Sequence, residues 1–237
     1  MKNLGASQGR TFTIEEGVSG AECCDGRKYH HWQDTGEDPY NSSTSKYWGD
    51  PLQRCIDDCW FIAALVSVAY VKNSKLNTHP NYKFYDVPNE TWGAAFEING
   101  DLPVDQYGNL VYARSASQYI WPCLYEKAYA VWKANQNQPK YEDHLQGGRG
   151  AFGLRVLTGG QLGPVNTMPG FLNNKPKYPA VARTKDVVGG VLKKNHEYSV
   201  IKSITGGYQF RDPCGDFINV TKSDLETYFE EWRYVIV

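Results

Sequence analysis

Asp50-Pro51-Leu52-Gln53-Arg54-Cys55-Ile56-Asp57-Asp58-Cys59-Trp60-Phe61-Ile62-Ala63-Ala64 is the stretch on which the reading of this chain turns, because it sets a cysteine where an apolar helix begins. A thiol in the first turn of a helix feels the positive end of the aligned peptide dipoles, which favours its thiolate, so Cys59 is the candidate nucleophile. Gln53, in the same stretch, carries side-chain N–H groups suited to a negatively charged oxygen. A cysteine, a histidine and an orienting third group, with donors aimed at a developing oxyanion, make up the kit for acyl transfer at sulfur.

Outward from this stretch, Phe61, Ile62, Leu65, Val66, Ala69 and Tyr70 recur at helical spacing and cover much of the circumference. This predicts a deeply buried helix from Cys59 to Val71, with Asp58 as its N-cap and Asp57 beside it as a second capping group. Upstream, residues 1–46 are rich in Gly, Ser, Asp and Asn with little periodicity and read as an irregular arm without chemistry, its His30-His31-Trp32 being packing or surface. Downstream, residues 92–104 alternate loosely, and Asp105 to Asn109 offers a turn before a short strand Leu110–Arg114, so an exposed hairpin is expected. Trp121-Pro122 opens a second helix whose Leu124, Tyr125, Ala128, Tyr129 and Trp132 should pack on the first, with Glu126 and Lys127 at its surface. The glycines from Gly147 to Gly160 let backbone approach a bound chain; without a Gly-Lys-Ser/Thr ending they are not a phosphate cradle. Residues 161–180 read as loop.

The 237 residues, 41% hydrophobic and 14% aromatic, suffice for one large domain or two joined lobes. A net charge of -1 gives no electrostatic reason to expect nucleic acid or an anionic membrane as partner. No apolar run is long enough to span a bilayer and Met1 to Arg10 lacks the apolar core of a secretory signal, so a cytoplasmic location is the default, with a secreted or delivered effector as the other possibility. The six cysteines lie in a chain large enough to do without a disulfide framework, the neighbours Cys23 and Cys24 are not expected to pair with each other, and no zinc spacing appears.

Near the C-terminus, Asn195-His196-Glu197-Tyr198-Ser199-Val200 puts a histidine at the start of one strand and Phe210-Arg211-Asp212-Pro213-Cys214-Gly215 an aspartate at the end of the next. An antiparallel hairpin through Thr205-Gly206-Gly207 would bring Asp212 to the imidazole of His196. The carboxylate favours imidazolium, and imidazolium favours thiolate at Cys59. Strands Phe217–Val220 and Trp232–Val237, with a helix Ser223–Glu231 capped by Ser223, complete a sheet-rich end.

Four blocks together resemble the calpain-type catalytic core, a branch of the papain-like cysteine proteases: Gln53 to Trp60 with its alanine-rich helix, Asp101-Leu102-Pro103 through Gly108-Asn109-Leu110 to Ser115, Trp121 to Ala130, and His196 to Val200. The resemblance implies an α+β, papain-like fold of two lobes, residues 47–150 helical and 151–237 β-rich, with the active site between them. It implies Cys59 as nucleophile, His196 as acid and base, Gln53 with the Cys59 N–H as oxyanion donors, and Gly148, with Asn195 and Trp60, as substrate-binding residues. Two departures stand out. The third catalytic residue of the family is usually asparagine, in an Asn-Pro-Trp-Gly run, where this chain reads Asp212-Pro213-Cys214-Gly215. The calcium site that the resemblance implies would draw on Asp50 and on the position of Tyr119, which offers no carboxylate.

The expectation is therefore a calcium-independent cysteine endopeptidase with a Cys59-His196-Asp212 triad, no metal and no cofactor, acting on protein or peptide substrates. A papain-fold deamidase, transglutaminase or acyltransferase, or a non-catalytic binding module, is the alternative. The chain could equally be a free protease or what remains of a longer polypeptide after removal of an N-terminal part.

Overall fold

The computed structural model describes residues 23–40 and 46–237, so most of the N-terminal arm lies outside the described residues. Helix α1 (Cys59–Lys72) is buried without interruption from Cys59 to Ala69. Its apolar residues surround the whole circumference, and a helix of that kind is stable only inside the molecule. α2 (Trp121–Ala134) starts with Pro122 in its first turn and stops where Asn135 turns left-handed and its N–H reaches Val131 O. As expected, α2 packs on α1: the Tyr129 ring meets Trp60 at 5.5 Å and Phe61 at 4.9 Å.

Two short helices follow, α3 (Glu142–Leu145) and α4 (Gly150–Thr158), and α5 (Lys222–Tyr228) comes near the C-terminus. α4 stands where the glycine-dense segment suggested irregular backbone. Glycine disfavours helix, but here it is needed for contact: a Cβ on Gly153 would lie 2.8 Å from Ala64 Cβ, so the α1–α4 crossing depends on its absence.

A six-stranded antiparallel sheet runs in the order Phe217–Thr221, Gly207–Arg211, Glu197–Ile204, Ala180–Thr184, Phe229–Ile236, Gln161–Leu162. With the five α-helices among the described residues, this makes the chain α+β. The hairpin from Glu197 to Arg211 is antiparallel as expected; its register sets Val200 opposite Phe210, with a bulge between Val200 and Lys202. One apolar cluster surrounds α1 and α2, and a second, including Tyr198, Val200, Phe210 and Phe229, lies against the sheet. Polar clasps join α1 to the sheet strands: Ser67 Oγ donates to Ala180 O and accepts from Ala180 N, and Ser199 Oγ donates to Ala63 O.

Several local expectations are corrected. Within the arm, His31–Asp34 is a strand paired with Asp101–Val104. The Asp101–Arg114 hairpin is not exposed: Leu102, Val104, Val111 and Ala113 are buried, and Arg114–Ser115 pairs with Pro51–Leu52 instead. Glu126 and Lys127 are interior residues of α2, not surface ones. The Lys127 ammonium donates to the Asn99 and Asp101 carbonyls at 3.1 and 2.6 Å, so its charge is buried among acceptors. α5 is capped by Thr221, not Ser223, in a reciprocal box with Asp224. The stretch 161–180, read as loop, carries the short strands Gln161–Leu162, Phe171–Leu172 and Lys175–Pro176.

Candidate active site

Cys59 is the first residue of α1 and lies buried. Its sulfur stands 3.8 Å from Asp57 Oδ1 and feels the backbone amide of Glu197, which favours the thiolate. The nucleophile candidate thus meets the sheet one residue beyond His196.

His196 is held at the end of a loop by one side chain. Thr184, at the end of the neighbouring strand, donates through Oγ1 to the carbonyls of Lys193 and His196 at 2.6 and 3.1 Å, accepts His196 N at 2.9 Å, and donates its own N–H to His196 O. The imidazole packs edge-on against Tyr198, 5.0 Å between centroids. Its Nε2 is 3.2 Å from Asp212 Oδ1, and its buried Nδ1 has no hydrogen-bond partner.

Asp212 also takes the Cys214 N–H at 2.8 Å and the Lys193 ammonium at 3.0 Å. Burial alone would raise its carboxyl; the bond and charge of His196 and the charge of Lys193 prevail and hold it down at about 2. An ionised carboxylate only accepts, so the His196 proton sits on Nε2 and Nδ1 is the nitrogen left to deal with the thiol.

The thiol itself runs against the helix-dipole expectation. Burial pushes Cys59 well up, and the Glu197 and Asp57 carboxylates add to this, outweighing the Glu197 amide. Glu197 is buried too, raised by desolvation to about 7 despite Arg183, 3.6 Å away, and the Gly150 amide. Asp58 occupies the N-cap position of α1 without making a cap bond. Its buried carboxyl turns towards Glu126; desolvation raises Asp58 to about 7 and lifts Glu126 well above the usual carboxylate range.

Gln53 is fully buried, with Nε2 donating to Ile56 O at 2.8 Å, which leaves its second amide hydrogen free for another acceptor. Its backbone N–H bonds Pro213 O at 2.9 Å, tying the loop before α1 to the Asp212 loop. Asn195 is held left-handed, its amide on Asp186 at 2.9 Å, and lines a cleft of about 530 Å³ with Asp57, Asp186, Lys194, Cys24 and Cys55. Trp60 and Gly148 are not among the residues lining that cleft. The Trp60 indole is buried and donates to Leu145 O, while Gly148 lies so close over it that a Cβ would fall 2.5 Å from the ring. The Gly148 carbonyl accepts from Arg183 at 3.1 Å.

The cysteines correct the expectation of a chain without disulfides. Cys23 and Cys24 do not bond each other, but Cys23 bonds Cys214 and Cys24 bonds Cys55. These pairings close on the site, not on the core, so the size of the core does not bear on them. Thr184, Lys193 and Cys23 were missed by sequence reasoning; only Cys214, standing where the resembling family has tryptophan, carried a signal.

The surroundings of Asp50 do not fit calcium. Its carboxylate is buried and takes the Trp121 indole N–H at 2.9 Å. A hard cation needs six to eight oxygens, and this carboxylate is engaged by a donor. The one cluster of metal-ligand side chains among the described residues, Cys23, Asp212 and Cys214, contains a sulfur pair consumed by a disulfide.

A cysteine at a helix start, near the residue that follows a histidine bound to a carboxylate, brings together the groups that cysteine hydrolase chemistry uses. The family model for calpain family cysteine proteases matches residues 44–210, well over half of the chain, and the chain belongs to that family. It is 27% identical over 144 residues to a thiol protease of Porphyromonas gingivalis, strain ATCC BAA-308 / W83, covering 53% of this chain and 29% of that protein. It is 31% identical over 132 residues to human calpain-14, covering 49% of this chain and 18% of that protein. The chain thus matches less than a third of the length of either relative. Among the described residues no helix is long and apolar enough to cross a membrane.

Proposed function

We propose that this chain is a calcium-independent cysteine endopeptidase of two papain-like lobes that works through Cys59, His196 and Asp212. The observation that carries the reading is the His196 ring, with Nε2 bound to Asp212, Nδ1 unpartnered, and the Cys59 sulfur against the next residue's amide. Because the resting thiol is pushed up, His196 acts first as a general base: Nδ1 takes the thiol proton as sulfur attacks the scissile carbonyl. The oxyanion is met by the free Gln53 amide hydrogen and the Cys59 N–H. His196 then gives its proton to the leaving amine, and a water activated by the same nitrogen releases the acyl group. Asp212 keeps the ring's orientation and tautomer. The polypeptide substrate lies along the cleft at Asn195 and Asp57.

The two disulfides favour an oxidising compartment, so the reading includes action outside the reducing cytosol. The test is to identify new N-termini in a protein mixture treated with wild-type chain or with Cys59→Ala. Cleavage lost in the variant and unaffected by a calcium chelator is expected. A mass gain of about one dalton without new termini would instead mean side-chain deamidation, and cleavage abolished by the chelator and restored by calcium would refute calcium independence.

A further inference from the structure

Two adjacent arm residues are bonded to opposite borders of the site: Cys24 to Cys55, two residues beyond Gln53, and Cys23 to Cys214, two residues beyond Asp212. The Cys23–Cys214 bond lies between the two polar groups that serve catalysis. Cys23 Sγ is 3.9 Å from Gln53 Oε1, and the Cys214 N–H is bonded to the Asp212 oxygen that faces His196. Cys23 is buried, so its side covers Gln53 from solvent. The Lys193 ammonium touches both sulfurs, 2.6 Å from Cys214 and 3.7 Å from Cys23, while also pairing with Asp212.

We propose that the Cys23–Cys214 disulfide is a positioning element of the active site, so that the enzyme reaches full rate only while this bond is oxidised and Cys59 is reduced. The inference rests on the triad reading above. With the bond intact, the Asp212 loop cannot move away from Gln53, and water is kept from the His196–Asp212 contact, which is stronger in a dry site. When it is cut, the Asp212 loop is no longer fastened to the arm, which Cys24 still ties to Cys55, and water gains access to the His196–Asp212 contact. A dithiol performs the cut: its thiolate attacks Cys23 Sγ, the S–S bond breaks, and Cys214 leaves as a thiolate beside the Lys193 cation. The second thiol of the reagent then displaces Cys23, so the protein gains two thiols and their protons while the dithiol becomes a disulfide.

The test compares the full chain purified without reductant, the same protein reduced with dithiothreitol and freed of it anaerobically, and the oxidised C23S/C214S variant. Two readouts are taken: peptide hydrolysis, and the rate of Cys59 alkylation by iodoacetamide from pH 4 to 9, resolved by site with peptide mass spectrometry. Reduction and the double substitution should each slow both by about ten- to hundredfold, the scale of a small misplacement of reacting groups. Each should also move the acid limb of Cys59 alkylation to higher pH, and reduction of the variant should add little. A reduced protein with unchanged rate and profile overturns the proposal. So does a reduced protein that has unfolded by circular dichroism, since the bond is then a mere staple. If the variant alone fails to fold, a C24S/C55S variant, which keeps only the Cys23–Cys214 bond, decides when compared oxidised and reduced. Alkylation differences without hydrolysis in any form would count against the peptidase and leave the positioning role supported.

Discussion

Asp212 binds His196 Nε2 at 3.2 Å with one oxygen and Lys193 at 3.0 Å with the other, so a single buried carboxylate serves both an imidazole and an ammonium. Orientation needs only an acceptor facing Nε2, which an amide oxygen also provides. Asp212→Asn should therefore lower kcat/KM less than Asp212→Ala, which should lower it by about a hundredfold or more. Steady-state kinetics on a peptide substrate separates the two; equal loss in both variants would mean that charge, not orientation, is what Asp212 supplies.

Glu197 is the carboxylate that most opposes ionisation of Cys59. Its own group titrates at about 7, so its charge grows across the neutral range where the thiol has to ionise. Removing that charge stabilises thiolate, and the sign follows directly: in Glu197→Gln the acid limb of the kcat/KM profile should move to lower pH. The amide can still accept the Gly150 N–H, and Arg183 keeps Glu230 at 2.8 Å, so the fold has what it needs. An acid limb that stays in place or moves upward would show that Glu197 does not govern the thiol.

What could be read from the chain was what local pattern determines. α1 and α2 follow from periodicity and from Pro122, and the meeting of His196 and Asp212 follows from a hairpin whose turn and alternation are explicit. α4 was not legible, because its glycines argue against helix and only the close passage of Gly153 along Ala64 explains them. Nor was the Cys23–Cys214 bond, which joins residues 191 apart and depends on where the arm lies. Glu126 and Lys127 read as surface because charge usually is; each is buried through partners further away in sequence, such as Ala113 and Asn99.

Ser67 tests how α1 is fastened to the sheet. Its hydroxyl both donates to and accepts from Ala180, at 2.9 and 2.7 Å, with no exposure to water. Ser67→Ala would strand a buried N–H and a buried carbonyl, a cost of about 1–3 kcal/mol each way of counting. Denaturant unfolding should show a loss of that size. A change below about 0.5 kcal/mol would mean that the strand Ala180–Thr184 finds other partners.

Asp58 and Glu126 form a buried acidic pair immediately behind the nucleophile, and they set a pH dependence of stability opposite to that of a salt-bridged acid. Asp58 is raised from 3.8 to about 7 by desolvation, so between those values the folded protein holds a proton that the unfolded chain has released. Stability must then fall as pH rises through this window. Glu197, raised from 4.5 to about 7, acts in the same direction. Asp212, depressed to about 2, opposes them only below pH 4. The melting temperature should accordingly decline from about pH 5 to pH 7.5, and Asp58→Asn, which keeps a neutral group facing Glu126, should flatten the decline. A melting temperature rising over that range in the wild-type protein would show that the pair is ionised in the folded state, and that a cation or a rearrangement of α2 accommodates it.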